Sequence, residues 1–256
     1  MGEMMNVESL ESIIYYPDGS RKKSECAVLK EHELTVIVNE QPVLRLICTK
    51  DRLSELVTGR LFTGGFIDGA EDIEKIRFNQ SKREANVFFR KDTILEHNLL
   101  REEKSCCTGN VSFMSLKNGR TLKKVTAASY EPEWIFNLAE SFAKAGGLHD
   151  KTQGTHSCLL ARKDQILFFC EDIGRHNAVD KAVGFALLNE IPFGDCMLYT
   201  SGRVPLDMVE KVIASGIPIV VSKSVPTAES ISMAEKYGLT LICRAHRDSF
   251  EVMNPV

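Results

Sequence analysis

Nowhere does the sequence run to the roughly 18 consecutive apolar residues that a bilayer-spanning helix needs, so no membrane segment is expected. The opening stretch MGEMMNVESLES carries acids and no basic patch, unlike a secretory signal. Together these absences point to the cytoplasm. No G-x-x-x-x-G-K and no G-x-G-x-x-G occurs, which leaves ATP hydrolysis and a standard dinucleotide fold as poor readings. There is no C-x-x-C, and His156-Ser157-Cys158 lacks the glutamate of a zinc deaminase's H-x-E, so no tightly held metal is expected. Internal repeats and low-complexity segments are missing as well. Nor is there an excess of positive charge: 32 Lys and Arg against 35 Asp and Glu leave a net charge of -3, which argues against a nucleic-acid partner.

What is present is enough chain, 256 residues, to bury a core without disulfides or a metal. The eight cysteines lie at 26, 48, 106, 107, 158, 170, 196 and 243. In a reducing compartment a disulfide framework is not expected. Single cysteines inside apolar runs, such as Cys170 in QILFFC and Cys196 in DCMLYT, read as small core hydrophobes. The adjacent pair Cys106-Cys107 in REEKSCCTGN stands apart, because its flanks are polar.

Local patterns divide the chain in three. Residues 1–100 form a β-rich part with one helix: LTVIV and VLRLIC flank the turn signal NEQP, DRLSELVTGRLF has helical spacing, and IEKIRF and ANVFFR alternate as half-buried strands do. Residues 101–130 show no period and read as a flexible loop carrying the two thiols; long irregular loops are often functional. In residues 131–256 short apolar strands alternate with helices, from PEWIFNLAESFAKAGG onward. That pattern predicts an α/β domain with a largely parallel sheet and helices on both faces.

Ligand groups of such a sheet usually sit at strand ends. Four segments there are rich in glycine and polar residues: 153–156, 171–177, 201–203 and 222–227. Helix starts favour anions, and Arg175, Arg203 and Lys223 add positive charge, so a phosphate-bearing ligand fits. Any one segment taken singly reads more readily as a helix cap or turn than as a site; it is the four together that point to a ligand. His156 and His176 suit donors to phosphate or to a guanine edge, with a structural hydrogen bond as the plain alternative.

EDIGRHNAVDKAVG (171–184), SGRVPLDMVEKVIASGIPIVVSKSVPT (201–227), GLTLICR (238–244), QGTHSCLL (153–160) and VNEQPVLRLICTKDRLSELVTGRLFTGGFI (38–67) together resemble the FdhD family (FdhD/NarQ) over roughly residues 30 to 252. The resemblance implies an α/β fold, a cytidine-deaminase-like α/β/α sandwich with a smaller β-rich N-terminal domain. It implies a sulfurtransferase that takes persulfide sulfur from a cysteine desulfurase. The acceptor would be the molybdenum or tungsten bis-molybdopterin guanine dinucleotide cofactor of formate dehydrogenase, bound as cargo. A homodimer is implied as well. The family carries its sulfur on a loop with a CGxCG-type motif, where this chain has Lys104-Ser105-Cys106-Cys107-Thr108-Gly109; a one-residue shift places either Cys106 or Cys107 on the carrier position. The cargo-binding positions would be Thr155 and His156, then Gly174, Arg175, His176 and Asn177, then Ser201, Gly202 and Arg203, then Ser222, Ser224 and Thr227, and finally Arg244, His246 and Arg247.

The chemistry requires an exposed, mobile thiolate that exchanges sulfur by attack on sulfur. Arg101 and Lys104 would favour the thiolate, with Glu102 and Glu103 in partial opposition. The competing reading is a non-catalytic chaperone that binds and inserts the same cofactor.

Overall fold

The computed structural model describes residues 6–90 and 122–255 in full, together with the backbone of residues 95–97, 111–112 and 114–116. Cys106 and Cys107 lie outside the described residues. Two residues with positive φ, Asn39 and Glu40, close a two-residue hairpin between β3 (His32–Val38) and β4 (Gln41–Cys48). This is the backbone that matches the twist of paired strands. β5 (Ile73–Phe78) and β6 (Glu84–Phe89) complete the four long strands of a five-stranded sheet, ordered β5-β6-β3-β4-β8 with β8 at Val111–Ser112. Before it, β1 (Val7–Tyr15) and β2 (Arg21–Leu29) pair as a separate two-stranded arm that the sequence patterns did not disclose. The segment expected to be pure loop also holds β8 and β9 (Met114–Leu116), the latter paired with β7 (Leu95–His97). Strands of two or three residues are too short to leave a periodic signal.

The second sheet has six strands, ordered β11-β10-β12-β13-β14-β15. These are β10 (His156–Arg162), β11 (Gln165–Asp172), β12 (Met197–Thr200), β13 (Ile219–Ser222), β14 (Thr240–Cys243) and β15 (Glu251–Val252). The expectation of a largely parallel sheet is corrected here. Only β12–β13 and β13–β14 run parallel, while β10–β11, β10–β12 and β14–β15 are antiparallel. The physical reason for the first is the two-residue turn at Lys163-Asp164, with Lys163 at φ 55°, which can join only antiparallel neighbours.

Alternation along the short strands sends side chains to both faces. Met197 and Tyr199 face α2 (Pro132–Lys144), which buries Ile135, Leu138 and Phe142 against them. Leu198 and Val220 face the other way, into a larger cluster with Val179 and Val183 of α4 (Arg175–Leu188) and Val209 and Val212 of α5 (Leu206–Ser215). α6 (Ala228–Tyr237) adds Ala234. The same cluster takes Leu34 and Val36 of β3 and Leu56 and Leu61 of α1 (Leu53–Thr63), so one core runs between the two sheets.

α1 and α4 cross at a glycine contact. A Cβ on Gly59 would come 1.9 Å from the Asp180 carbonyl oxygen, and one on Gly184 would come 1.8 Å from that of Glu55. Backbone meets backbone there, which no other residue allows. Because α4 is covered by α1, the sheet and α5, Asp180 and Lys181 in its middle are fully enclosed. No helix of the described residues is long and apolar enough to cross a membrane.

Candidate functional site

Strand direction decides which loops meet. β10 runs against β12, so its first residues lie beside the last residues of β12: Cys158 pairs with Thr200, and Thr200 pairs with Ser222 of β13. His156 at the start of β10 sits opposite Asp172 at the end of β11. The four polar segments picked from the sequence therefore share one edge of the six-stranded sheet. The start of α4 opens at that edge, with Gly174 as its N-cap.

Gly202 shows how closely the groups approach. A Cβ there would stand 2.9 Å from the Cβ of Arg175 and 3.6 Å from Nδ1 of His156. The Gly202 carbonyl accepts from Ser222 Oγ at 2.8 Å, and Ser222 Oγ in turn accepts from the Ser224 N–H at 2.9 Å. Ser201 Oγ accepts from the Ser157 N–H at 3.0 Å. This lattice of hydroxyl-to-backbone bonds sets the loop shape, so Ser201 and Ser222 act on the loops directly. Arg175 and His176 are buried, whereas Arg203 and Lys223 are exposed at the rim. Burial, and then the Arg175 guanidinium, holds the His156 imidazole below the ordinary histidine range. Nε2 of His176 lies 3.0 Å from Asp207 Oδ2, within ion-pair reach but off the N–H axis. A small rotation of the ring would turn its N–H onto the carboxylate.

Beneath the edge lies a network of enclosed charge. Lys181 Nζ contacts Asp172 Oδ2 at 2.8 Å, Thr49 Oγ1 at 2.7 Å, the Glu171 carbonyl at 3.0 Å and Asp51 Oδ1 at 3.4 Å. Burial alone would lower its proton affinity, but Asp172 and Asp51 outweigh burial and hold the ammonium above the ordinary lysine range. Asp172 also accepts from the Gly174 N–H at 3.0 Å and from Asn177 Nδ2 at 2.8 Å, which fixes the start of α4. Glu171 accepts from the N–H groups of Leu148 and His149, at the start of the short helix α3 (Leu148–Thr152), and from the Thr155 and Ser157 hydroxyls.

The expected ligand residues thus divide. Thr155, His156, Gly174, Arg175, His176, Ser201, Gly202, Arg203, Ser222 and Ser224 gather at the edge. Asn177 lies there too, but it is fully buried and donates to the Ile47 carbonyl as well as to Asp172. Thr227 accepts from the Ser230 N–H in a capping box that starts α6. Arg244 is drawn to Glu251 at 2.8 Å on the surface; its own N–H donates to the Ser224 carbonyl, which ties the end of β14 to the same edge. His246 and Arg247 are exposed. Sequence reasoning did not single out Thr49, Asp51, Asp180, Lys181, Asp207 or Lys211. For Asp180 and Lys181 the one signal was the lack of any polar face on HNAVDKAVGFALL, which requires its charges to be buried. Of the six described cysteines five are buried, and Cys26 on the arm is exposed. Burial pushes the thiols of Cys48, Cys158, Cys170 and Cys243 up, that of Cys243 to about 12. They behave as core atoms.

Comparison with known proteins places this architecture. A sulfur carrier protein FdhD of Bacillus licheniformis is 32% identical over 250 residues, covering 96% of this chain and 95% of its own. One of Bacillus subtilis is 31% identical, with 96% and 95% covered. The crystal structure of a formate dehydrogenase accessory protein from Desulfotalea psychrophila superposes with a TM-score of 0.79 over 98% of this chain and 97% of its own, at 23% identity, and so shares the fold. The family model described as the FdhD/NarQ family matches residues 29–255, and the chain belongs to that family.

Proposed function

We propose that this chain is a sulfur carrier that serves formate dehydrogenase. The observation that carries the reading is its family membership, with relatives named sulfur carrier protein FdhD along nearly the whole chain. The thiolate of Cys107 or Cys106 attacks the outer sulfur of a persulfide on a cysteine desulfurase. A new persulfide forms on this chain and the desulfurase cysteine leaves as its thiolate. The neighbouring cysteine then attacks the inner sulfur; the terminal sulfur departs as hydrosulfide to the cargo, and the two cysteines remain as a disulfide that a cellular thiol reduces. The chemistry suits the cytoplasm, where free thiols persist.

The cargo is the molybdenum or tungsten bis-molybdopterin guanine dinucleotide cofactor, held by the 131–256 part, while residues 1–100 and the 101–130 segment present the thiols. What supports this is the cation-bearing sheet edge: a helix start, Arg175 and Arg203 suit phosphates, and the glycine at 202 lets the Arg175 side chain pack against that loop beside His156. A homodimer is part of the same proposal.

Mass spectrometry after incubation with a desulfurase and cysteine tests the carrier step. The tryptic peptide 105–117 should gain the mass of one sulfur atom. The Cys106→Ser/Cys107→Ser chain should show no gain and should not support formate dehydrogenase activity. Full support by that double variant would favour an insertion chaperone instead.

A further inference from the structure

Asp207 stands in the first turn of α5, where any acid is favourably placed beside unpaired backbone N–H groups. Its contact is more particular than that. His176 of the first turn of α4 lies 3.0 Å away, and this neighbouring imidazole is the foremost cause that holds the Asp207 carboxyl below the ordinary aspartate range. One helical turn further in, the same two helices repeat the contact with reversed polarity. Lys211 Nζ donates to Asp180 Oδ2 at 2.6 Å, and Thr63 Oγ1 donates to Asp180 Oδ1 at 2.7 Å. Residues 176 and 180 on one helix and 207 and 211 on the other are each four apart, so the two pairs form a row. The inner pair is enclosed. In the outer pair His176 is 7% exposed and Asp207 51%, so that pair reaches the sheet edge where the polar segments converge.

A carboxylate at Nε2 selects the imidazole tautomer with its hydrogen there, which leaves Nδ1 as an acceptor. We propose that Asp207 is a positioning residue for nucleotide binding: it orients His176 so that Nδ1 accepts a hydrogen bond from an N–H or O–H of the nucleoside part of the guanine dinucleotide. The inference rests on the guanine-nucleotide reading of the site. It makes His176 a reader of the nucleoside and leaves phosphate charge to Arg175 and Arg203.

The test is guanosine diphosphate binding to the full chain by calorimetry, together with ring-nitrogen NMR of His176. The parent should show the Nε2–H tautomer. Asp207→Ala should weaken binding about tenfold, the worth of one hydrogen bond, and should leave His176 a mixture of tautomers. Asp207→Ser, too short to reach the ring yet well suited to a helix start, should do the same and serves if the alanine variant does not fold. His176→Gln should also lose about tenfold, and adding Asp207→Ala to it should cost nothing more, because Asp207 acts through the ring. Unchanged affinity in both Asp207 variants, an unchanged tautomer, or additive losses in the double variant would each overturn the proposal. Failure of the parent to bind the nucleotide would overturn the guanine reading beneath it, and the tautomer spectra would still report separately on whether Asp207 orients the ring.

Discussion

Lys181 and Lys211 are both enclosed lysines in contact with a carboxylate, at 2.8 and 2.6 Å, yet their proton affinities move in opposite directions. For Lys181, the attraction of Asp172 and Asp51 exceeds the cost of burial. Lys211 has Asp180 against it, with the Arg60 guanidinium nearby in opposition; burial wins and pushes it down to about 8. The distance of the nearest partner does not decide the outcome. The number of acceptors supplied by the surrounding elements does. Lys181 is reached by β4's following residues Thr49 and Asp51 as well as by β11, so it joins the two halves of the chain at the site edge.

Lys181→Met breaks that comparison most forcefully. It leaves Asp172 enclosed without its cation, and chemical denaturation should show a loss of about 3–5 kcal/mol. Gly184→Ala comes next, since the added methyl meets the Glu55 backbone and must prise apart α1 and α4. A loss of about 3 kcal/mol is expected by the same measurement, at the upper end of overpacking costs. Lys211→Met should cost less than Lys181→Met, about 2 kcal/mol at neutral pH, because the ammonium it removes was itself poorly accommodated.

The Lys211 pair also carries a pH signature. The folded chain gives up that proton at about 8, while an unfolded lysine keeps it to 10.5. Between those values the unfolded state binds more protons, so stability rises with pH. Denaturation of the parent and of Lys211→Met from pH 7.5 to 10.5 should show the parent gaining relative to the variant. A flat difference would remove Lys211 from the set of shifted groups. The smallest effect belongs to the exposed cation. Arg203→Ala should change stability by less than about 0.5 kcal/mol while weakening guanosine diphosphate binding in a salt-dependent way.

The longer helices and the buried strands were legible because their signals are local. Asn39-Glu40 marked the β3–β4 hairpin, Pro132 the start of α2, and Gly216 and Gly238, with φ of 82° and 73°, the ends of α5 and α6. The arm β1–β2 was not legible: SLESIIYYPDGSRKKSE alternates poorly, and both of its strands are largely exposed. Of the candidate site, the sequence picked four loops that the fold brings to one end of the six-stranded sheet, but it did not show which of their side chains are engaged within the protein. Thr227 and Asn177 carry the same polar character as the other residues of those loops, and only their partners show that one caps a helix and the other braces it.

By itself the sequence determined the order of the longer helices and of β3–β6 and β10–β14, the four polar loops and the family string, since each depends on residues near in the chain. Tertiary structure alone decided that β10 runs against β12 and so brings His156 beside Gly202 and Arg175. It alone joined Thr49 and Asp51 to a lysine 132 and 130 positions further along. The physical reason is that enclosing a charge requires ligands from several elements at once, and that demand is met only when distant segments pack together.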